Sequence, residues 1–69
     1  MGAKVVDATK FLEMELEKVE KEIEILRRKV KLLEPLAEED EELKIELIGT
    51  KALLSLYESD RQKLMEALA

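Results

Sequence analysis

The sequence predicts an all-α protein in which two long, coiled-coil-like helices form an antiparallel hairpin, and two such hairpins dimerise into a four-helix bundle. Three observations lead to this prediction. Charged residues make up 42% of the 69 residues and apolar residues 46%, a composition typical of long helices. Apolar residues recur at alternating steps of three and four in both halves of the chain. A single proline, Pro35, separates the two halves.

The first helix is predicted over about residues 7–33 from its heptad pattern. The heptad positions are occupied by Val5, Leu12, Leu16, Val19, Ile23, Leu26, Val30 and Leu33. With Leu16, Ile23 and Val30 at position a, the other members fall at position d, which suits close packing against one neighbouring helix. Asp7 has a side chain that commonly caps a helix N-terminus, so the helix is expected to begin there.

The connection between the helices is predicted over about residues 34–40. Pro35 disfavours helical geometry at Glu34, so the first helix is expected to end near residues 33–35 and the second to begin between Pro35 and Asp40. Bases precede the proline and acids follow it: Arg27, Arg28, Lys29 and Lys31, then Glu38, Glu39, Asp40, Glu41 and Glu42. Cations at one helix end and anions at the next helix start both complement the helix dipoles, so this charged run predicts helix ends and not a metal site.

The second helix is predicted over about residues 37–67. Its seam consists of Leu43, Leu47, Thr50, Leu54, Tyr57, Arg61, Leu64 and Leu68. Arg61 must reach solvent or a carboxylate, because its charge cannot be buried alone. Gly49 marks either a kink or a close helix approach, since glycine is unfavourable inside a helix. Ser59 followed by Gln62 resembles a capping box, so a break near residues 58–60 is an alternative.

A second apolar stripe on this helix predicts a protein interface. The stripe lies outside the seam and consists of Ile45, Ile48, Ala52 and Leu56. A helix with two apolar faces is usually covered from two sides. The predicted interface residues are Leu43, Ile45, Leu47, Ile48, Ala52, Leu54, Leu56 and Tyr57. Phe11, Ile25, Leu32 and Leu36 add apolar surface from outside that helix. A second copy of the chain is the expected partner, because a twofold dimer buries the same stripe on both copies. A helix of a different protein, held by an adaptor or small chaperone, is the alternative.

Charge pairs spaced three or four residues apart predict solvated helix surfaces. The predicted pairs are Glu17–Lys21, Glu24–Arg28, Glu15–Lys18, Glu41–Lys44 and Glu58–Arg61. Such pairs contribute tenths of a kcal/mol each, so they indicate solubility and do not indicate a site.

Missing residue types argue against enzymatic activity. The chain contains no cysteine and no histidine, so thiolate zinc sites, haem ligation by imidazole and histidine acid–base catalysis all lack their residues. The acidic run lacks the glycine-bearing D-x-[DN]-x-[DN]-G spacing of a calcium loop. Two helices alone enclose no substrate pocket. No catalytic residue, cofactor or metal is therefore expected.

Charge and hydropathy argue against nucleic-acid and membrane partners. The net charge of −5 repels phosphate backbones, and the basic stretch at residues 27–31 contains no aromatic residue. No stretch approaches ~18 apolar residues and the N-terminus lacks the apolar core of a signal peptide, so one cytoplasmic domain over residues 1–69 is expected. The absence of asparagine and the presence of only one glutamine favour a heat-adapted source.

Overall fold

The computed structural model describes residues 7–69 as two α-helices that pack along each other as an antiparallel hairpin. Helix α1 spans Ala8–Ala37 and helix α2 spans Glu41–Leu68. This architecture confirms the predicted all-α hairpin. Val5, the first residue of the predicted heptad pattern, lies outside the described residues.

Aspartates cap both helices at their N-termini. Asp7 does so as the sequence predicts, whereas α2 begins after Asp40, the far end of the range 35–40 that the sequence leaves open, and not near residue 37. The Thr9 amide donates to Asp7 Oδ1 at 3.0 Å, and the Leu43 amide donates to Asp40 Oδ1 at 3.2 Å. Each carboxylate satisfies an amide that has no partner within its own helix. Glu41 adds negative charge in the first turn of α2, where the helix dipole favours it.

The C-terminus of α1 differs from the prediction. The helix continues past Pro35 to Ala37 instead of ending near residues 33–35. Ala37 in this last turn is buried, although Pro35 cannot donate the hydrogen bond that its position would make to the Lys31 carbonyl. The last turn consequently holds no base, so the basic residues at positions 27–31 do not act on the helix dipole.

The seam between the helices follows the predicted spacing along its described length. The α1 members Ile23, Leu26 and Leu33 are buried, while the other members from Leu12 to Val30 are half-buried. Every α2 seam residue from Leu43 to Leu68 is also buried or half-buried. The heptad pattern therefore locates the contact line between the helices residue by residue.

Polar residues in the α2 seam find partners. The Thr50 hydroxyl donates to the Glu46 carbonyl at 2.8 Å, which satisfies it in a buried position. The Arg61 Nε donates to Glu20 at 3.3 Å, so this side chain finds the carboxylate that its seam position requires. Helix α2 also runs through Ser59 without interruption, so the alternative of a break there is wrong.

Among the described residues, salt bridges form both within and between the helices. Of the five predicted intrahelical pairs, Glu58–Arg61 does not form, because each partner binds α1 instead. The other predicted pairs are present: Glu17–Lys21, Glu24–Arg28, Glu15–Lys18 and Glu41–Lys44. The pairs that cross between helices are Glu20–Arg61, Arg27–Glu58, Lys29–Glu46 and Glu34–Lys51, with N···O distances from 2.7 to 3.4 Å. At these exposed positions each pair contributes less than ~1 kcal/mol, so together they favour one register and orientation more than they add stability.

Candidate functional site

The predicted interface residues of α2 divide into two sets that point in opposite directions. Leu43, Leu47, Leu54 and Tyr57 face α1 and are half-buried within the hairpin. Ile45, Ile48, Ala52 and Leu56 are exposed. The hairpin itself uses the first set, so only the second set is available to another molecule.

The outward set includes three large aliphatic side chains that are more than half exposed. Ile45 and Ile48 are each 68% exposed, and Leu56 is 64% exposed. Isolated exposed apolar residues are common, whereas a contiguous apolar surface typically marks an interaction site. These three side chains lie within twelve residues of one helix, which makes α2 the centre of the candidate site.

Helix α1 contributes exposed apolar side chains as well. The residues available for this purpose are Phe11, Met14, Ile25, Leu32 and Leu36. Ile25, Leu32 and Leu36 are between 56% and 69% exposed and lie in the half of α1 that is nearer the connection. They lie on the same length of the hairpin as the exposed residues of α2.

The crossing ion pairs define two flanks of the hairpin, one on each side of the seam. Arg27 binds Glu58 on one side, which we call the Arg27 flank. Lys29 binds Glu46 on the other side, which we call the Lys29 flank. Residues two apart on a helix point about 200° apart, so Arg27 and Lys29 lie on opposite sides of the seam.

Helical spacing assigns the exposed apolar residues to the Lys29 flank. On α1, Ile25, Leu32 and Leu36 lie four residues before, three after and seven after Lys29, so they share its side of the helix. On α2, Leu53 lies seven residues after Glu46, and Leu56 follows three residues later. Ile45 lies eleven residues, or about three turns, before Leu56 and shares its side of the helix. We call this set the apolar face; it consists of Ile25, Leu32, Leu36, Ile45, Leu53 and Leu56, between 43% and 69% exposed.

Gly49 lies on the same side of α2, between Glu46 and Leu53. A Cβ atom built on Gly49 would meet nothing within 4 Å, so the predicted close approach between the hairpin's own helices does not occur there. The position is open to solvent and offers a shallow notch in the apolar face. A side chain from another molecule could fill it.

Metal-ligand clusters and unpaired buried polar atoms were also sought among the described residues. Within residues 7–69, no three acidic side chains are arranged to hold a metal ion. Every buried polar side-chain atom in this part of the chain has a hydrogen-bond partner. The described helices also contain no segment with the length and hydropathy needed to span a bilayer. The exposed apolar side chains are therefore the surface feature considered as a candidate site.

No protein-family model matches this sequence. Searches of curated proteins and of solved structures also find no significant match. The function is therefore argued from the chain's own residues.

Half of the predicted interface residues of α2 belong to the hairpin's own seam, and two parts of the apolar face are absent from the sequence analysis. Leu53 was not recognised, although its step of seven from Glu46 places it on the apolar face. The division into two flanks was also missed, because it depends on which charges meet across the seam. The alternation of charge at Glu20, Arg27 and Glu34 is the signal that could have suggested one flank.

Proposed function

We propose that this chain is a non-enzymatic structural or protein-interaction module that self-associates through α2, most simply as a twofold dimer forming a four-helix bundle. The observation that carries the proposal is the exposure of Ile45, Ile48 and Leu56 on one helix. Burying apolar surface is favourable by roughly 25 cal/mol per Å². Covering these side chains on two copies at once therefore provides a substantial driving force for assembly.

The hairpin's small core also supports self-association. Only Ile23, Leu26, Leu33 and Ala37 form the buried apolar core of the described chain. Chains of this size generally need additional stabilisation, and a sequence without cysteine cannot use disulfides. Oligomerisation is the remaining common source of stability for such a chain.

A double substitution at the outward stripe tests this proposal. In Ile48→Glu/Leu56→Glu, the new charges would have to be buried in any interface that uses these positions. We expect light scattering to give a stable multiple of 8.0 kDa for the wild type and monomers with reduced helix content for the variant. A variant with wild-type mass and melting temperature would contradict the proposal. Glu17→Lys/Lys21→Glu, which reverses a surface ion pair, is the matched control.

An adaptor or small chaperone that binds a helix of another protein is the second candidate. The same exposed stripe supports it, since amphipathic helices bind in apolar grooves through residues spaced three and four apart. Oligomeric state separates the two candidates. A purified chain that stays monomeric and aggregates readily would favour the adaptor, whereas a stable homo-oligomer would favour self-association.

A further inference from the structure

We infer that the apolar face docks against the same face of a second copy, with a twofold axis parallel to the hairpin and both connections at the same end. This inference rests on the proposed self-association and gives it a geometry, but it moves the contact from the outermost stripe of α2 to the Lys29 flank, so that Ile48 is no longer covered. It differs from a contact through the outermost stripe of α2 alone, because it uses Ile25, Leu32 and Leu36 of α1 and leaves Ile48 outside. Ile48 lies three residues before Lys51, which binds Glu34 on the Arg27 flank.

The order of side chains along the hairpin favours this geometry. The crossing pair Glu20–Arg61 sets a register in which Ile25 lies level with Leu56, and Leu32 lies level with Gly49. A twofold axis along the hairpin brings α1 of one copy against α2 of the other at the same level. Ile25 then meets Leu56, and Leu32 fills the notch at Gly49, where no atom of α1 lies within 4 Å of the Cβ position.

Charge complementarity favours the same arrangement. Lys29 and Glu46 form a 2.7 Å ion pair within the apolar face, and their side chains remain about half exposed, at 46% and 50%. The twofold axis places each Lys29 beside the Glu46 of both copies, so that the charges alternate. Nearer the open end of the hairpin, a depression on the Lys29 flank is lined in part by the charged residues Glu15, Asp60 and Lys63. These residues present both signs of charge to the partner copy.

The area of contact favours full overlap of the two hairpins. With 30 residues at 1.5 Å per residue, α1 is about 45 Å long. Two helices whose axes lie ~9 Å apart present a face about 20 Å wide, or about 900 Å² per copy. Stable dimers bury roughly 800 Å² per partner. If only the halves nearer the connections overlapped, each copy would bury only about half of its ~900 Å² face. This is less than stable dimers bury, so full overlap of the two hairpins is favoured.

Mixing two charge-reversed variants tests the face directly. Lys29→Glu and Glu46→Lys each place like charges around the axis, and we expect each to weaken its homodimer at least about tenfold. Mixed together, one chain is negative and the other positive at these positions, so native mass spectrometry should show the heterodimer well above the statistical half. Arg27→Glu mixed with Glu58→Arg is the matched control on the other flank, and it should give the statistical 1:2:1 distribution.

The outcomes distinguish this inference from the proposed self-association. A wild-type dimer whose Lys29 and Glu46 variants mix statistically would overturn the face and leave self-association standing. A wild-type monomer at all concentrations would overturn both. If a charge variant fails to fold, as judged by circular dichroism, Leu56→Glu and Ile48→Glu provide a second comparison. The inference requires the first to dissociate the dimer and the second to leave it intact; the reverse result would overturn it.

A single distance separates full overlap of the two copies from overlap of their connection-proximal halves alone. The chain has no cysteine, so Glu66→Cys carries one spin label per copy, near the end of α2 and away from the apolar face. With both connections at the same end, the labels should lie within about 30 Å of each other. Overlap of only the connection-proximal halves would separate them by about 50 Å, and that result would overturn the proposed axis.

Discussion

Gly49 lies in the middle of α2 with space beside it. Glycine inside a helix is less favourable than alanine because it loses more backbone freedom on folding. No atom of α1 lies within 4 Å of a Cβ built at this position, so the glycine does not serve a close approach of the two helices.

We expect Gly49→Ala to raise the free energy of unfolding of the isolated hairpin by about 0.5–1 kcal/mol. Urea unfolding followed by circular dichroism, at the lowest usable concentration, measures this change. Ala52→Gly, one turn further along α2 and also exposed, should lower stability by a similar amount. A loss of stability in Gly49→Ala would contradict the prediction and would indicate that another chain occupies the notch.

Asp40 caps the start of α2, where its side chain accepts a hydrogen bond from the Leu43 amide. We expect Asp40→Ala to lower the free energy of unfolding by about 1 kcal/mol, because the amide loses its partner. Asp40→Asn keeps a capping oxygen and should retain most of the stability. Thermal melts of the three proteins provide the measurement, and equal losses in both variants would contradict capping as the cause.

At the scale of the helix, the sequence predicts the Asp7 cap and the contact line, because these depend on local rules, whereas it leaves the start of α2 open between Pro35 and Asp40. The end of α1 was mispredicted because the penalty of Pro35 is local, whereas the burial of Ala37 depends on α2. Glu58 and Arg61 failed to pair for a similar reason. Their spacing permits a bond along the helix, but partners across the seam become available only once the register is known.

The candidate site shows the same limit. Exposure of Ile45, Ile48 and Leu56 was predictable, because one heptad seam can bury only one stripe of a helix. The grouping of Leu53 with Ile25 on one flank was not, because it requires the crossing pairs that relate the two helices. Local patterns thus predict which residues are apolar and outward, and the tertiary register determines which of them lie together.

Truncation of the seam tests which side chains hold α1 against α2. Ile23 is 3% exposed, and we expect Ile23→Ala to cost about 2–4 kcal/mol through lost burial and the cavity that remains. Met14→Ala, at a position 61% exposed on the same helix, is the control and should change stability by less than about 0.5 kcal/mol. Chemical denaturation gives both values, and comparable losses would contradict the assignment of the seam.

At the scale of the whole molecule, self-association predicts that stability depends on concentration. If folding and assembly are linked, each tenfold dilution removes about 1.4 kcal/mol from the apparent stability per dimer. We therefore expect the melting temperature to fall over a hundredfold dilution. An invariant melting temperature, together with a mass near 8.0 kDa, would contradict assembly in this range.

The hairpin is packed more tightly near its connection than at its open end. The buried residues Ile23, Leu26, Leu33, Ala37 and Thr50 all lie in the connection-proximal half, whereas Leu12 and Leu68 near the other end are only half-buried. The hairpin should therefore fray from its open end, and backbone amides should exchange with deuterium fastest there and slowest near the turn. Because the residues in contact beside the turn are also the closest in sequence, the same gradient favours folding that starts at the turn and proceeds outward.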